Sequence, residues 1–421
     1  MNAFVNAPLD EEIFMRSPPG YGKQGKILRL QKALYGLRRS PLLWQRNLTE
    51  TLMGLGFKQV PHEPCCLTLK GVLVFFYVDD IVFAYRKADE GRAEDLIIKL
   101  KKQYNLSGGG DLQWFLGIEV IRDRPKRLIW LSQSSYIDKM ANLAEQTQLS
   151  HSTPMIREEL LPFDGRASIN SITKYQKKVG SLLYAAVTTR PDIGFAVSRL
   201  ARHLSNPGPK HHTAADRVLL YLKGQRGLAL RFGGGDDFQV ASDASFADNS
   251  IDRRSSQAYT MKLFGGLIGW RANKQNTVTT STTEAELLAL SQTAKEGLYM
   301  SRLIKELDVR LDNTMVRIEC DNEQTIRLVN HSLAKLQTKL RHVDIHNHWL
   351  RQEVSAGHIA VDHTPSKDLL ADGLTKVLPV ADFRRFVEAA GLVDISDRLD
   401  QRHAEELLPE DLVFPEWDQF E

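Results

Sequence analysis

Residues 238–245 read FQVASDAS, and the order of elements that begins with this alternating apolar run decides the fold class. Strand and helix patterns follow it at close intervals. They predict strands at 255–265, 266–274, 316–322 and 358–365, a long amphipathic helix from 281, helices at 323–330 and 341–354, and a final helix from about Lys367. This order predicts a mixed sheet with helices packed against it, in one α/β domain of about 155 residues.

Four acids fall where these elements can bring them together. They are Asp243 at the end of the first strand, Glu286 in the first turn of the long helix, Asp321 at the end of the fourth strand and Asp372 at the start of the last helix. Such a cluster repels itself unless it binds a cation, and Mg²⁺ prefers oxygen ligands. The spacing therefore predicts a two-metal Mg²⁺ site that hydrolyses phosphodiesters.

Each acid also has a purely structural interpretation. Glu286 can close a capping box with Thr283, although Ser281 with Glu284 forms an equally good box and leaves Glu286 free. Asp321 can cap the short helix that follows it. Asp372 can simply be an acid in the first turn of a helix, where the helix dipole stabilises a negative charge. Only the joint placement of the four acids favours the metal site.

A second acidic pair interrupts an apolar run, FFYVDDIVFAY, at residues 75–85. Burial of an uncompensated carboxylate costs several kcal/mol. Asp79 and Asp80 are therefore expected on the turn of a β-hairpin between two strand-prone segments. A solvent-facing turn explains the two acids as well as a metal site does.

Composition restricts the class of protein. The chain has 421 residues, 42% of them hydrophobic, which predicts two or three domains. The three cysteines have no zinc-site spacing and favour a reducing compartment. No stretch has the length and apolarity of a membrane span, so an intracellular protein is expected, in the cytoplasm with access to the nucleus.

The formal net charge is unevenly distributed along the chain. The whole chain carries +3, while residues 401–421 hold seven acids and one arginine, so a body of net charge +9 precedes an acidic tail of net charge −6. A basic body fits a polyanionic partner, although an ordinary solvated surface has the same balance.

Eight motifs in a fixed order resemble a known family. They are NAFVNAPLDEEIFM, RLQKALYGLRRSPLLW, FYVDDIVF, FLGIEV, GSLLYAAVTTRPDI, STTEAELLAL, CDNEQTI and ADGLTK. The chain thereby resembles the reverse transcriptase and ribonuclease H part of a copia-type retrotransposon polyprotein, and the spelling ADGLTK resembles fungal elements. The resemblance extends to about Leu392.

The resemblance implies roles for both acidic groups. Asp79 and Asp80 match the polymerase hairpin whose aspartates hold Mg²⁺. A further family aspartate belongs to a strand just before the segment that begins here at Met1, so the chain is expected to start about two residues too late for polymerisation. The ribonuclease H acids match Asp243, Glu286, Asp321 and Asp372, while His363 has no secure role.

The resemblance also implies a domain plan and a function. The expected fold is α/β and α+β multidomain: a truncated reverse transcriptase palm at 1–105, a thumb and connection region at 106–232, a ribonuclease H-like mixed-sheet domain at 233–392 and an acidic tail at 393–421. The expected activity is Mg²⁺-dependent cleavage of RNA in RNA·DNA hybrids, with polymerase activity lost. The expected partners are hybrid and template RNA or DNA, and other products of the same retrotransposon.

Two alternatives remain open from the sequence. The chain can be a noncatalytic nucleic-acid-binding remnant, or its true reading frame can extend upstream and encode a full reverse transcriptase.

Overall fold

The computed structural model describes most of the chain, in segments separated by short gaps. The described residues are 3–18, 20, 25–106, 108–145, 151–235, 237–311, 313, 315–331, 334, 336 and 338–399. They form two compact units, Met1–Leu112 with Arg302–Arg310, and Gln113–Ser301 with Leu311–Glu421. Residues 400–421, most of the expected acidic tail, lie outside the described residues.

The first unit contains a four-stranded antiparallel sheet and two helices. Its elements are the strands β1 (Phe14–Arg16), β2 (Ile27–Arg29), β3 (Lys58–Val60), β4 (Glu63–Leu69), β5 (Val72–Tyr77) and β6 (Asp80–Tyr85), and the helices α1 (Ser40–Gly54) and α2 (Glu90–Gln103). Strands β3 to β6 pair in chain order, and β1 pairs with β2. Trp44 and Leu48 of α1 and Leu96 of α2 are buried together with Leu67 and Val74 of this sheet. Alternating apolar residues thus place one face of the sheet against both helices.

The predicted hairpin around the second acidic pair is confirmed, but the expected place of Asp80 on its turn is wrong, because Asp80 is the first residue of β6. Strands β5 and β6 are antiparallel, with Tyr77 opposite Asp80, so that Val78 and Asp79 form a two-residue turn. Val78 has a φ of 50°, in the left-handed region that short hairpin turns require. The indole Nε1 of Trp44 donates to the carbonyl of Val78 over 2.7 Å and fixes the turn against α1.

The second unit begins with a five-stranded antiparallel sheet. Its strands are β7 (Trp114–Phe115), β8 (Ile118–Asp123), β9 (Leu128–Ser132), β10 (Leu228–Phe232) and the last strand among the described residues, β16 (Leu392–Asp394). Their order in the sheet is β16–β10–β9–β8–β7. The described residues between β9 and β10 form the α-helices α3 (Ser134–Ala141), α4 (Ile169–Thr188), α5 (Gly194–Leu200) and α6 (Pro209–Gly224). Because β16 pairs with β10, the first residues of the segment expected to be tail belong to this sheet.

A second five-stranded sheet carries the predicted mixed topology. Its strands are β11 (Gln239–Ser245), β12 (Ser256–Leu263), β13 (Gly266–Lys274), β14 (Val316–Cys320) and β15 (Ile359–His363), in the order β13–β12–β11–β14–β15. Strands β11, β14 and β15 are parallel, and β12 and β13 are antiparallel to their neighbours. The helices are α7 (Thr282–Glu306), α8 (Glu323–Asn330), α9 (Arg341–Ser355) and α10 (Val380–Ala389). The strands and first three helices predicted from the sequence are confirmed.

The prediction of a final helix from about Lys367 is wrong. A short 3₁₀ turn, Leu370–Leu374, carries Asp372, and α10 begins only at Val380. Pro379 at the N-cap of α10 is the physical reason, because a proline disfavours helical backbone at the residue before it. The 3₁₀ turn also requires a glycine at position 373, because the ring of Phe386 lies where a Cβ of this residue would sit.

The hydrophobic contacts of the second unit cross residue 233, where the sequence predicts a domain boundary. Leu374, Phe383 and Phe386 belong to the same buried cluster as residues of α4, α5 and α6. The Phe383 and Tyr221 rings meet edge to face with centroids 5.8 Å apart. Trp270 of β13 donates its Nε1–H to the carbonyl of Ala186 in α4 over 2.7 Å. The helices of the predicted connection region therefore share a core with the second sheet.

None of the helices in the described parts of the chain combines the length and the apolar character that a membrane crossing requires.

Candidate metal centre

The parallel strands of the second sheet bring two of the predicted acids together. Asp243 lies near the carboxyl end of β11, and Asp321 directly follows β14, the parallel neighbour of that strand. Carboxyl ends of parallel strands meet at the same edge of a sheet, so the two side chains converge. Asp372 reaches the same edge from the 3₁₀ turn, which contacts β11 and β12.

The carboxylates form two overlapping groups. One oxygen from each of Asp243, Asp321 and Asp372 lies within 4.8 Å of the others. Asp321 also lies within 4.8 Å of a carboxylate oxygen of Glu286 and the Sγ of Cys320. The structure thus brings the four predicted acids to one place, with Asp321 common to both groups.

The helix-cap alternatives for these acids do not occur. Ser281 Oγ accepts the N–H of Glu284 over 3.2 Å, and Glu284 Oε2 accepts the N–H of Thr280 over 2.6 Å. The first turn of α7 is therefore capped without Glu286. Asn322 caps α8 by accepting the N–H of Thr325 over 2.9 Å, which leaves Asp321 free of that role.

Burial makes the cluster unfavourable for several negative charges at once. Asp243 is 1% exposed and Glu286 is 5% exposed. Burial raises the pKa of Asp243 to about 6, and burial together with the charge of Asp243 raises the pKa of Glu286 well above its usual value. Burial also raises the pKa of Asp372. A cation among these oxygens would reverse the shifts, because it favours the charged form of each carboxyl.

Two buried oxygens of the cluster have no hydrogen-bond partner among the residues that the structure describes. They are Asp243 Oδ1 and Glu286 Oε2, each buried. A buried oxygen without a partner costs about 1–3 kcal/mol, and more when charged. Unpartnered oxygens on two adjacent carboxylates fit a hard cation such as Mg²⁺, which takes oxygen ligands almost exclusively.

Three side chains that the sequence analysis did not single out contact other oxygens of the cluster. Thr375 Oγ1 donates to Asp243 Oδ2, and Ser366 Oγ donates to Asp321 Oδ2 over 2.5 Å. Lys376 forms an ion pair with Asp372 and lies 4.0 Å from Asp243 Oδ2. Thr375 and Lys376 end the motif ADGLTK, and their closeness to Asp372 in the chain was a signal that they could contact the acids. The turn that directs their side chains toward the cluster was not predictable from periodicity.

The pair at the palm hairpin has a different environment. Asp79 accepts hydrogen bonds from the Tyr35 hydroxyl at 2.7 and 2.8 Å and from the N–H of Ala3 at 3.0 Å. Burial and the neighbouring Asp79 raise the pKa of Tyr35 to about 12, so its hydroxyl remains a donor. Asp80 is exposed at the start of β6. Neither aspartate belongs to a group of three potential metal ligands among the described residues.

His363 does not join the four acids in a potential ligand group within the described part of the chain. It is the exposed last residue of β15. On α9, His346 pairs with Ser291 Oγ at 2.8 Å, and His348 lies 3.7 Å from Asp344. No histidine belongs to a group of three potential metal ligands in the segments that the structure describes.

Comparison with known proteins gives the family. The family model described as reverse transcriptase (RNA-dependent DNA polymerase) matches residues 1–157. The transposon Ty5-1 protein of Saccharomyces cerevisiae is 32% identical over 312 residues, which are 70% of this chain and 98% of that protein. The chain belongs to the copia-type retrotransposon reverse transcriptases.

Longer copia-type relatives occur in plants. The Pol polyprotein from transposon TNT 1-94 of Nicotiana tabacum is 32% identical, and the match covers 93% of this chain and 30% of that protein. The polyprotein from transposon RE2 of Arabidopsis thaliana is 31% identical over 94% of this chain and 27% of that protein. The chain thus spans about a third of the length of these relatives. Because plant and yeast proteins both match, the expected fungal origin stays a prediction.

Parts of the chain also match solved structures. The foamy viral protease-reverse transcriptase in complex with RNA/DNA hybrid matches 85% of this chain and 41% of that chain, with a TM-score of 0.44 and 12% identity. LC11-RNase H1 in complex with RNA/DNA hybrid matches 33% of this chain and 93% of that chain, with a TM-score of 0.25 and 16% identity. The sheets and helices of the two units confirm the expected α/β and α+β multidomain fold.

Proposed function

We propose that this copia-type chain cleaves the RNA strand of RNA·DNA hybrids with Mg²⁺ held by Asp243, Glu286, Asp321 and Asp372. The observation that carries the proposal is the pair of buried, unpartnered oxygens, Asp243 Oδ1 and Glu286 Oε2, inside the converged acids. Bound Mg²⁺ would supply an activated water and stabilise the leaving oxygen of the phosphodiester.

The residues around the cluster would orient its carboxylates. Thr375 and Ser366 each hold one oxygen of an aspartate, and this fixes the direction of the other oxygen. Because Asp243 and Glu286 are rooted in a strand and a helix that pack on each other, their positions are rigid before any ligand binds.

The hybrid is the proposed substrate because the family copies RNA into DNA. That synthesis leaves the template RNA paired with its DNA product, and the RNA must be removed before a second DNA strand can be made. An A-form hybrid differs from duplex DNA in its wide minor groove and its 2′-hydroxyls. Template RNA, template DNA and other products of the same element are proposed as further partners.

A cleavage assay with the purified 421-residue chain tests this function. We expect the labelled RNA strand of an RNA·DNA hybrid to be cut with MgCl₂ and to stay intact in EDTA, because the metal is needed. Labelled duplex DNA, which has no 2′-hydroxyls, and labelled duplex RNA, which has no DNA strand, should both stay intact. Binding of the hybrid without cleavage would instead support a noncatalytic nucleic-acid-binding remnant.

We also propose that this chain does not extend a primer. Asp79 and Asp80 have no third carboxylate in their neighbourhood among the described residues, and both oxygens of Asp79 accept hydrogen bonds. Two-metal polymerase chemistry needs carboxylate oxygens that converge on the metal ions, and the oxygens of Asp79 already accept hydrogen bonds.

A primer-extension assay tests the palm proposal. We expect no template-directed extension by the wild-type chain, and unchanged hybrid cleavage in the double variant Asp79→Asn, Asp80→Asn, since the nuclease acids belong to the other unit. Extension that the double substitution abolishes would contradict this proposal and leave the nuclease assignment untouched.

A further inference from the structure

The acidic cluster has a positively charged side chain of the protein beside it. Among the described residues, Lys376 is the basic side chain that pairs with acids of this cluster. It forms one ion pair with Asp372 and a longer one, of 4.0 Å, with Asp243. It is 40% exposed, so its stem lines the cluster while part of the side chain faces solvent. The lysine therefore faces the two carboxylates that the 3₁₀ turn and β11 contribute.

The backbone determines where this lysine lies. The N–H groups of Thr375 and Lys376 both bond to the carbonyl of Asp372 over 3.2 Å, which closes the turn. Lys376 thus follows Asp372 at a separation of four residues, and its ammonium lies over that carboxylate. Thr375, which is 1% exposed, points its hydroxyl to Asp243 from the same turn.

The two oxygens of Asp243 consequently have different environments. Oδ2 accepts the Thr375 hydroxyl and lies nearest to Lys376, whereas Oδ1 has no hydrogen-bond partner. The ammonium of Lys376 pairs with Asp372 and approaches Asp243 from the Oδ2 side. A positive charge thus lies beside oxygens that fit a metal ion.

We propose that Lys376 is a resident counter-charge, which holds the acidic cluster together in the metal-free protein and competes electrostatically with the metal. This inference rests on the proposed function, because it concerns the same four carboxylates. Like charges a few ångströms apart in a partly buried site repel strongly, so the lysine weakens Mg²⁺ binding while it stabilises the empty site. Lys376 is therefore a positioning residue that sets the Mg²⁺ concentration at which the site fills.

Metal-free melting and Mg²⁺ titration of the full chain, without nucleic acid, test the proposal. We expect Lys376→Met to lower the melting temperature in EDTA by about 2–4 °C, since it leaves the buried carboxylates without their cation. We also expect it to reach half of its Mg²⁺-induced stabilisation at an about tenfold lower Mg²⁺ concentration, because the competing charge is gone. Lys376→Arg should resemble the wild type in both measurements.

The chain offers a matched control in Lys367. This lysine is exposed in the loop before the 3₁₀ turn, so Lys367→Met removes the same charge outside the cluster and should change neither measurement. Equal melting and equal Mg²⁺ dependence of Lys376→Met and the wild type would overturn the proposal. A Lys376→Met chain that stays unfolded in saturating Mg²⁺ would also overturn it, since Mg²⁺ should replace the lost charge. Absence of hybrid cleavage in the wild type would refute only the proposed function, because metal-free melting does not depend on cleavage.

Discussion

The full chain carrying Asp321→Asn is expected to cleave RNA·DNA hybrids at least about a hundredfold more slowly than the wild type. Replacement of a residue that merely orients a metal ligand already costs about 10–100-fold, so loss of a ligand should cost no less. Asp321 is the most informative of the four acids, because it is common to both groups of potential ligands. The amide keeps the shape of the side chain and removes only the charge.

Asp368 provides the matched control for that experiment. It is an exposed acid in the loop before the 3₁₀ turn, and it belongs to neither ligand group. Asp368→Asn should cleave at the wild-type rate, and both variants should melt cooperatively. A nuclease rate for Asp321→Asn equal to that of Asp368→Asn would refute the assignment of the four acids.

The second large effect concerns the fragment 233–399. We expect this fragment to lack a cooperative melting transition, although the sequence predicts an independent ribonuclease H domain within it. Removal of α4, α5 and α6 would expose Leu374, Phe383 and Phe386, which are now 1%, 6% and 5% exposed. Burial of each such side chain contributes about 1.5–3 kcal/mol, and a whole domain is stable by only about 5–15 kcal/mol.

A longer fragment, 113–399, is the comparison for this measurement. It retains α4, α5 and α6 and the strand β10 that pairs with β16, so it should melt in one cooperative step. Thermal melting by circular dichroism, with amide proton dispersion by NMR, distinguishes the two fragments. A cooperative transition of the shorter fragment, with cleavage of hybrid, would show that the shared core is dispensable.

Local patterns in the sequence predicted most of the second sheet. Alternation identified β11, β12 and β13, and the periodicity of residues 281–307 identified α7, because each segment is long enough to show its own period. The choice between two capping boxes was open in the sequence. It is decided by the contacts of Thr280 and Ser281 with Glu284, which spare Glu286.

Features that depend on distant contacts were not predictable. The three residues Leu392–Asp394 are too short to show strand alternation, and they form a strand only because β10 pairs with them. The 3₁₀ turn that places Asp372 depends on the fit of the Phe386 ring over Gly373, a contact between two elements. The approach of Lys376 to Asp243 follows from that turn and was equally invisible in the sequence.

The pairing of β10 with β16 also matters while the protein is being synthesised. The ribosome completes β10 early, and roughly 160 residues must still be translated before β16 emerges, which takes about 10–30 s. Throughout that time one side of β10 exposes unpaired backbone N–H and C=O groups, and such an edge invites pairing with other chains. A premature stop codon before residue 392 would make this exposure permanent, so nonsense mutants of the gene should form aggregates rather than shortened soluble products.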